Sequence, residues 1–218
     1  MFKQYARNVY SQHGEDGILE EIFKRLGIQD SGESWCVEFG AWDGKHLSNT
    51  FNLVNKGWSS VMIEGDPEKF KPLVETAKEF KNMHIIEAYV SQYDTGDKSL
   101  DKLLKTTPIP NNFEFLSVDV DSYDSDIWET LRDYSAKVVI IEVNSTVGPG
   151  VYWRHEDPPP GSISRGTTFS EMLKVAKAKD YTLVCHTGNC IFVRNDVLPL
   201  LGMPVNLIEA PELLFWGS

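Results

Sequence analysis

The sequence predicts an α/β fold: a doubly wound, mostly parallel sheet that ends in an antiparallel C-terminal hairpin. Three observations predict it. Short apolar segments alternate with segments of helical periodicity through most of the chain. The run AKVVIIEVN (136–144) is continuously apolar, as a central parallel strand covered on both faces must be. Two further strand-like segments, YTLVCHTG (181–188) and NCIFVRN (189–195), follow one another across a tight Thr-Gly-Asn turn.

Taken in order, Ile18, Leu19, Ile22, Phe23 and Leu26 recur at helical spacing before Gly27, which predicts an opening helix. WCVEFGA (35–41) and SSVMIEG (59–65) read as strands on either side of a helix over 48–56, and 67–80 reads as the next helix. MHIIEAYVS (83–91) is a third strand. After a polar stretch (92–105) and a Pro/Asn turn (108–112), FEFLSVDVD (113–121) is a fourth, with a crossover helix over 126–134. Residues 145–168 are rich in Gly and Pro and form a long insert, the expected substrate loop. Thr168 with Glu171 has capping-box spacing and opens a helix to Lys179.

At 218 residues and 41% apolar content, one core is expected, spanning 1–218, with 1–33 as an N-terminal helical cap. A net charge of −11 and a pI near 4.9 oppose nucleic acid or an anionic membrane as partner, because phosphate is bound by clustered Lys and Arg. The N-terminus lacks a signal-peptide core and no apolar run can span a bilayer, so a cytoplasmic protein is expected. Cys36, Cys185 and Cys190 are expected as reduced, buried thiols. The apolar C-terminal residues Leu213, Leu214, Phe215 and Trp216 can pack on the core or pair with a second subunit in a homo-oligomer.

In an open parallel sheet, ligands bind beyond the carboxyl ends of the strands. The first such end reads Glu38-Phe39-Gly40-Ala41-Trp42-Asp43-Gly44. Gly40 and Gly44 let the backbone turn and approach a ligand, and Glu38 and Asp43 supply carboxylates. A carboxylate repels pyrophosphate but attracts the ammonium of a methionine moiety, and the spacing departs from G-x-G-x-x-G, so S-adenosylmethionine is favoured over a dinucleotide. Glu64 ends the second strand, where an acid can accept from both ribose hydroxyls. Ser48, Asn49 and Thr50 cap the following helix or touch cofactor. Ala88, Tyr89 and Val90 stand at the expected adenine-flanking place.

The segments SQHGEDGILEEIF, VEFGAWDGKHLSNT, GWSSVMIEGDPEKF, FLSVDVDSYDSDIWE and VVIIEVNS resemble the FkbM family of methyltransferases, over roughly residues 10 to 195. The resemblance implies a class I methyltransferase (Rossmann-like) fold, S-adenosylmethionine at Glu38, Gly40, Asp43 and Glu64, and O-methylation of a small-molecule or sugar-like acceptor. Ser122 and Tyr123 follow Asp121 where family members commonly carry Gly or Glu-Gly.

Strand alternation puts Asp119 and Asp121 on one face and Glu142 and Asn144 on one face, so two strand ends can direct four oxygen ligands at magnesium. The alternative is that these groups bind acceptor hydroxyls, or that Asp124 and Asp126 cap a helix. Methyl transfer needs an acceptor placed in line and relieved of its proton; Asp119, which also faces the cofactor, His13 and His155 are the candidate bases. Two other readings compete. Asp119-Val120-Asp121 matches the D-x-D of metal-dependent nucleotide-sugar glycosyltransferases, and a non-catalytic cofactor-binding module fits the altered residues after Asp121.

Overall fold

The structure is a computed structural model, described for residues 1–120, 123–154 and 166–215. Seven strands form one sheet: β1 Trp35–Phe39, β2 Ser59–Glu64, β3 Met83–Glu87, β4 Asn112–Val118, β5 Ser135–Glu142, β6 Tyr181–His186 and β7 Asn189–Arg194. Their order is β3-β2-β1-β4-β5-β7-β6. The pairs β1–β2, β1–β4, β2–β3 and β4–β5 are parallel, whereas β7 is antiparallel to both neighbours. The expected hairpin is present, but its second strand inserts against β5 and leaves β6 as the edge.

Helices cover both faces, as the continuous apolar strands require. Leu100, Leu103 and Leu104 of α4 (Leu100–Leu104), Ile127 and Trp128 of α5 (Asp124–Thr130), and Phe169, Met172 and Val175 of α6 (Phe169–Ala178) share one core with Val37, Phe39, Val139 and Ile141. Alternate strand residues turn the other way. Cys36, Met62, Phe115 and Ile140 meet Ile18, Leu19, Ile22 and Phe23 of α1 (Glu15–Leu26), Phe51, Leu53 and Val54 of α2 (Phe51–Asn55), and Leu73 of α3 (Pro67–Ala77). Completely burying a side chain such as Ile22 contributes about 2 kcal/mol.

The ends of the elements have local causes. Gly27 takes φ 70° and closes α1. The Asp66 carboxylate accepts from the amides of Glu68 and Lys69, and Pro67 stands at the first position of α3. Thr168 is the N-cap of α6, yet the capping box does not form: its hydroxyl donates to Val151 O (2.7 Å) and accepts from Trp153 N (3.1 Å), binding the insert instead. After the hairpin come short helical turns, Leu198–Leu201 and Pro211–Leu214, around α7 (Val205–Glu209). Leu214 and Phe215 pack on the core, with Phe215 stacked on His186, while Leu213 is exposed and Trp216 lies outside the described residues. All three cysteines are free and buried. Among the described residues, no helix is long and apolar enough to cross a membrane.

Candidate functional site

Strand register assembles the site. Phe39 pairs with Ile63 and Val118, and Val118 pairs with Ile141. The next residues, Glu64, Gly40, Asp119 and Glu142, therefore emerge in one row at the carboxyl edge, and all four line a cleft of about 1070 Å³. Glu142 is further paired with Asn189, which brings the hairpin turn to the same rim.

Gly40 has φ +75°, and a Cβ there would lie 2.0 Å from the carbonyl oxygen of Asp119. The loop after it is wound tightly enough to hold Trp42 (φ 46°) and Leu47 (φ 55°) in the left-handed region. Both side chains project into the cleft wall, and Lys69 Nζ sits 5.4 Å over the Trp42 ring. Sequence reasoning gave Trp42 no role; an exposed aromatic within a glycine loop was the available signal.

Glu38 and Glu64 are both buried at the cleft. Glu38 Oε2 accepts from the hydroxyls of Ser48 and Thr50, and Oε1 accepts from Asn49 N (3.0 Å). Burial pushes this carboxyl above its usual range, against the pull of those hydrogen bonds. Ser48 also accepts from the amides of Thr50 and Phe51, so its hydroxyl ties Glu38 to the first turn of α2. The Glu64 oxygens accept from Trp42 N and Asp66 N, both at 2.8 Å. Each oxygen keeps a further lone pair for a ligand hydroxyl.

Asp43 stands elsewhere. Its carboxylate accepts from Lys45 N (2.9 Å) and His46 N (2.7 Å), its carbonyl accepts from Thr76 of α3, and it is not among the cleft-lining residues. It builds the turn rather than the wall. Tyr89 is exposed at the rim with its ring against Gly65, where a Cβ would come within 2.3 Å of the ring; Ala88 and Val90 flank it in the cleft.

Of the four residues expected to hold a metal, Asp119, Glu142 and Asn144 line the cleft, while Asp121 lies outside the described residues. Asp124, buried at the start of α5, takes a place beside them: oxygens of Asp119, Asp124 and Glu142 lie within 4.8 Å of one another. Asp124 also accepts from Val120 N at 2.8 Å. Asn144 is turned toward Thr146, whose amide and hydroxyl both donate to its Oδ1.

His13 lines the far side of the cleft, its Nδ1 3.7 Å from Glu15, together with Gln12, Ser145, Thr146 and Asn189, which sequence reasoning had not assigned. They are brought together only by tertiary structure. His155 lies outside the described residues.

No family model matches the sequence, nor does any curated protein, so the resemblance to the FkbM family rests on its motifs. Similar solved structures are numerous. A S-adenosylmethionine-dependent methyltransferase from Clostridium acetobutylicum aligns over 84% of this chain and 92% of its own, with 8% identity and a TM-score of 0.52. A protein described as an O-methyltransferase from Klebsiella pneumoniae aligns over 87% and 84%, with 12% identity and a TM-score of 0.51. The CurJ carbon methyltransferase aligns over 82% of this chain and 52% of its own, with 9% identity and a TM-score of 0.50. With the strand order, these likenesses show that the chain has the class I methyltransferase fold.

Proposed function

We propose that the chain is a S-adenosylmethionine-dependent methyltransferase of FkbM-like character, acting on a hydroxyl of a small or sugar-like acceptor. The observation that carries this reading is the row Glu64, Gly40, Asp119, Glu142 set by strand register along one cleft. The cleft suits that cofactor. Gly40 lets the loop after β1 pass backbone to backbone against Asp119 at the cleft, Glu64 offers carboxylate lone pairs at the end of β2, and Tyr89 offers an aromatic ring beyond it. Among the described lining residues, five carboxylates (Glu38, Glu64, Asp66, Asp119, Glu142) face one lysine, Lys69. That field favours a sulfonium and disfavours the diphosphate of a nucleotide sugar.

Bound there, S-adenosylmethionine supplies an electrophilic methyl group. The residues of the chain do the remainder: Glu64 with the Gly40 loop fixes the donor, the polar wall of Gln12, Ser145, Thr146 and Asn189 orients the acceptor hydroxyl, and Asp119 or His13 takes its proton. The all-oxygen donor set of Asp119, Asp124 and Glu142 fits a hard divalent cation such as magnesium, which would acidify a bound hydroxyl.

Thermal-shift titration with S-adenosylhomocysteine tests the reading, repeated with magnesium and with chelator. A saturable rise in melting temperature is expected, following the ratio of ligand concentration to Kd. A further rise that requires magnesium supports the cation, and no rise under any condition sinks the methyltransferase reading.

A further inference from the structure

The segment SQHGEDG (11–17) is built with unusual electrostatic investment for a surface-proximal loop. Two successive carboxylates are almost fully buried, Glu15 at 1% and Asp16 at 2% exposure. Burying a carboxylate is unfavourable unless hydrogen bonds replace its water. Three of the four oxygens receive them, and Asp16 Oδ1 is buried without one. Asp16 Oδ2 accepts from the amides of Val9, Tyr10 and Ser11, each at 2.8 Å, and from the Ser11 hydroxyl at 2.7 Å. Glu15 Oε2 accepts from His13 N at 2.6 Å, and its Oε1 accepts from the Thr187 hydroxyl at 2.7 Å, 172 residues away in the hairpin turn.

Two glycines admit this packing. A Cβ on Gly14 (φ +93°) would come within 2.6 Å of Ala6, and one on Gly17 within 2.2 Å of Tyr5 O. Glu15 stitches the segment to the β6–β7 turn through Thr187, and the residues the segment delivers to the cleft are Gln12 and His13. The His13 ring lies against Gly188, next to Asn189.

We propose that Glu15 is a positioning residue that fixes His13 as part of the acceptor-binding wall, with Gln12 beside it. It orients the imidazole by drawing Nδ1–H toward Oε1, now at 3.7 Å, and so turns Nε2 toward the acceptor hydroxyl. Such contacts are often long before ligands bind and tighten in the complex. The proposal rests on the methyltransferase reading for its acceptor, but not for the pairing itself.

The test uses ¹⁵N imidazole spectra of the full chain saturated with S-adenosylhomocysteine at pH 8, with the His13 signal identified by its loss in His13→Gln. The expected result is His13 carrying a proton on Nδ1 and none on Nε2, a preference that disappears in Glu15→Gln. A parallel assay follows labelled methyl transfer to a panel of free sugars and methyl glycosides. There, Glu15→Gln should lower kcat/KM for the acceptor at least tenfold while KM for the donor stays within twofold. His13 in the ordinary Nε2–H form, unaltered in Glu15→Gln, overturns the proposal whatever the panel shows. If Glu15→Gln fails to fold, Glu15→Asp, which keeps the charge but shortens its reach toward His13 Nδ1, is read in the same way. The S-adenosylhomocysteine melting shift, measured on the same samples, separates this outcome from failure of the cofactor reading: a lost shift with a locked tautomer condemns only the latter.

Discussion

Gly40 and Asp119 meet backbone to backbone: the space where a Gly40 Cβ would stand is closed by the Asp119 carbonyl oxygen at 2.0 Å. The contact joins the β1 loop to the acidic side of the cleft. Gly40→Ala must displace backbone, and its φ of +75° adds strain that an L side chain rarely tolerates. The expected cost is about 2 kcal/mol of stability, read as a lowered urea midpoint. S-adenosylhomocysteine binding should weaken at least tenfold, and an alanine variant that binds as tightly as wild type would show that the loop does not hold the cofactor.

Glu64 and Asp43 should behave oppositely. Glu64 ends β2 in the cleft, whereas Asp43 spends its carboxylate on the amides of Lys45 and His46. Glu64→Gln should weaken S-adenosylhomocysteine at least tenfold, about 1.4 kcal/mol. Asp43→Asn, which keeps an acceptor oxygen for the turn, should leave Kd within twofold. Isothermal titration of the pair distinguishes a ribose-binding acid from a turn-building one, and equal losses in both would refute the assignment.

Glu38 gives a stability signature. Its folded-state carboxyl is raised by burial, so the folded chain holds that proton more tightly than the unfolded chain. The stabilising contribution is therefore complete below the unfolded value of 4.5 and is lost as pH rises through the raised folded value. Glu38→Gln removes the charge while keeping an acceptor for Ser48 and Thr50. Its urea midpoint should fall less than that of wild type as pH rises from 4.5 to 8; parallel curves would mean that Glu38 ionises normally.

The fold was legible because both periodicities are strong, and the carboxyl-end row was legible because a glycine or an acid stands at or just after the ends of β1, β2, β4 and β5. Strand ends were read too far: β3 stops at Glu87 and β4 at Val118, where the sequence suggests 91 and 121. Ala88, Val90 and Val120 carry the apolar alternation onward because they pack against the core from the cleft loops, without a ladder to extend. The helix α4 is five residues long, too short to display a period. Asp43 is ambiguous in the sequence because an acid in a glycine loop can serve a ligand or its own turn, and spacing does not separate the two. Gln12, Asn189 and the Glu15–Thr187 stitch depend on contacts across the whole chain, which no local pattern encodes.

His186 supplies the opposite pH dependence. It is fully buried between Phe169 and Phe215, with Nε2 2.9 Å from the Ser145 hydroxyl, and burial lowers its pKa from 6.5 to about 4. The folded chain keeps the ring neutral while the unfolded chain takes up a proton below 6.5. The contribution of the neutral ring is thus complete above pH 6.5 and is lost as pH falls toward 4, an effect of about 3 kcal/mol at one pH unit per 1.36 kcal/mol. In His186→Gln, the difference in unfolding free energy between pH 7.5 and pH 4 should shrink by about that amount, even though the variant starts less stable at pH 7.5 through lost packing. A pH dependence in His186→Gln equal to that of wild type would show that the folded chain does not hold this ring neutral.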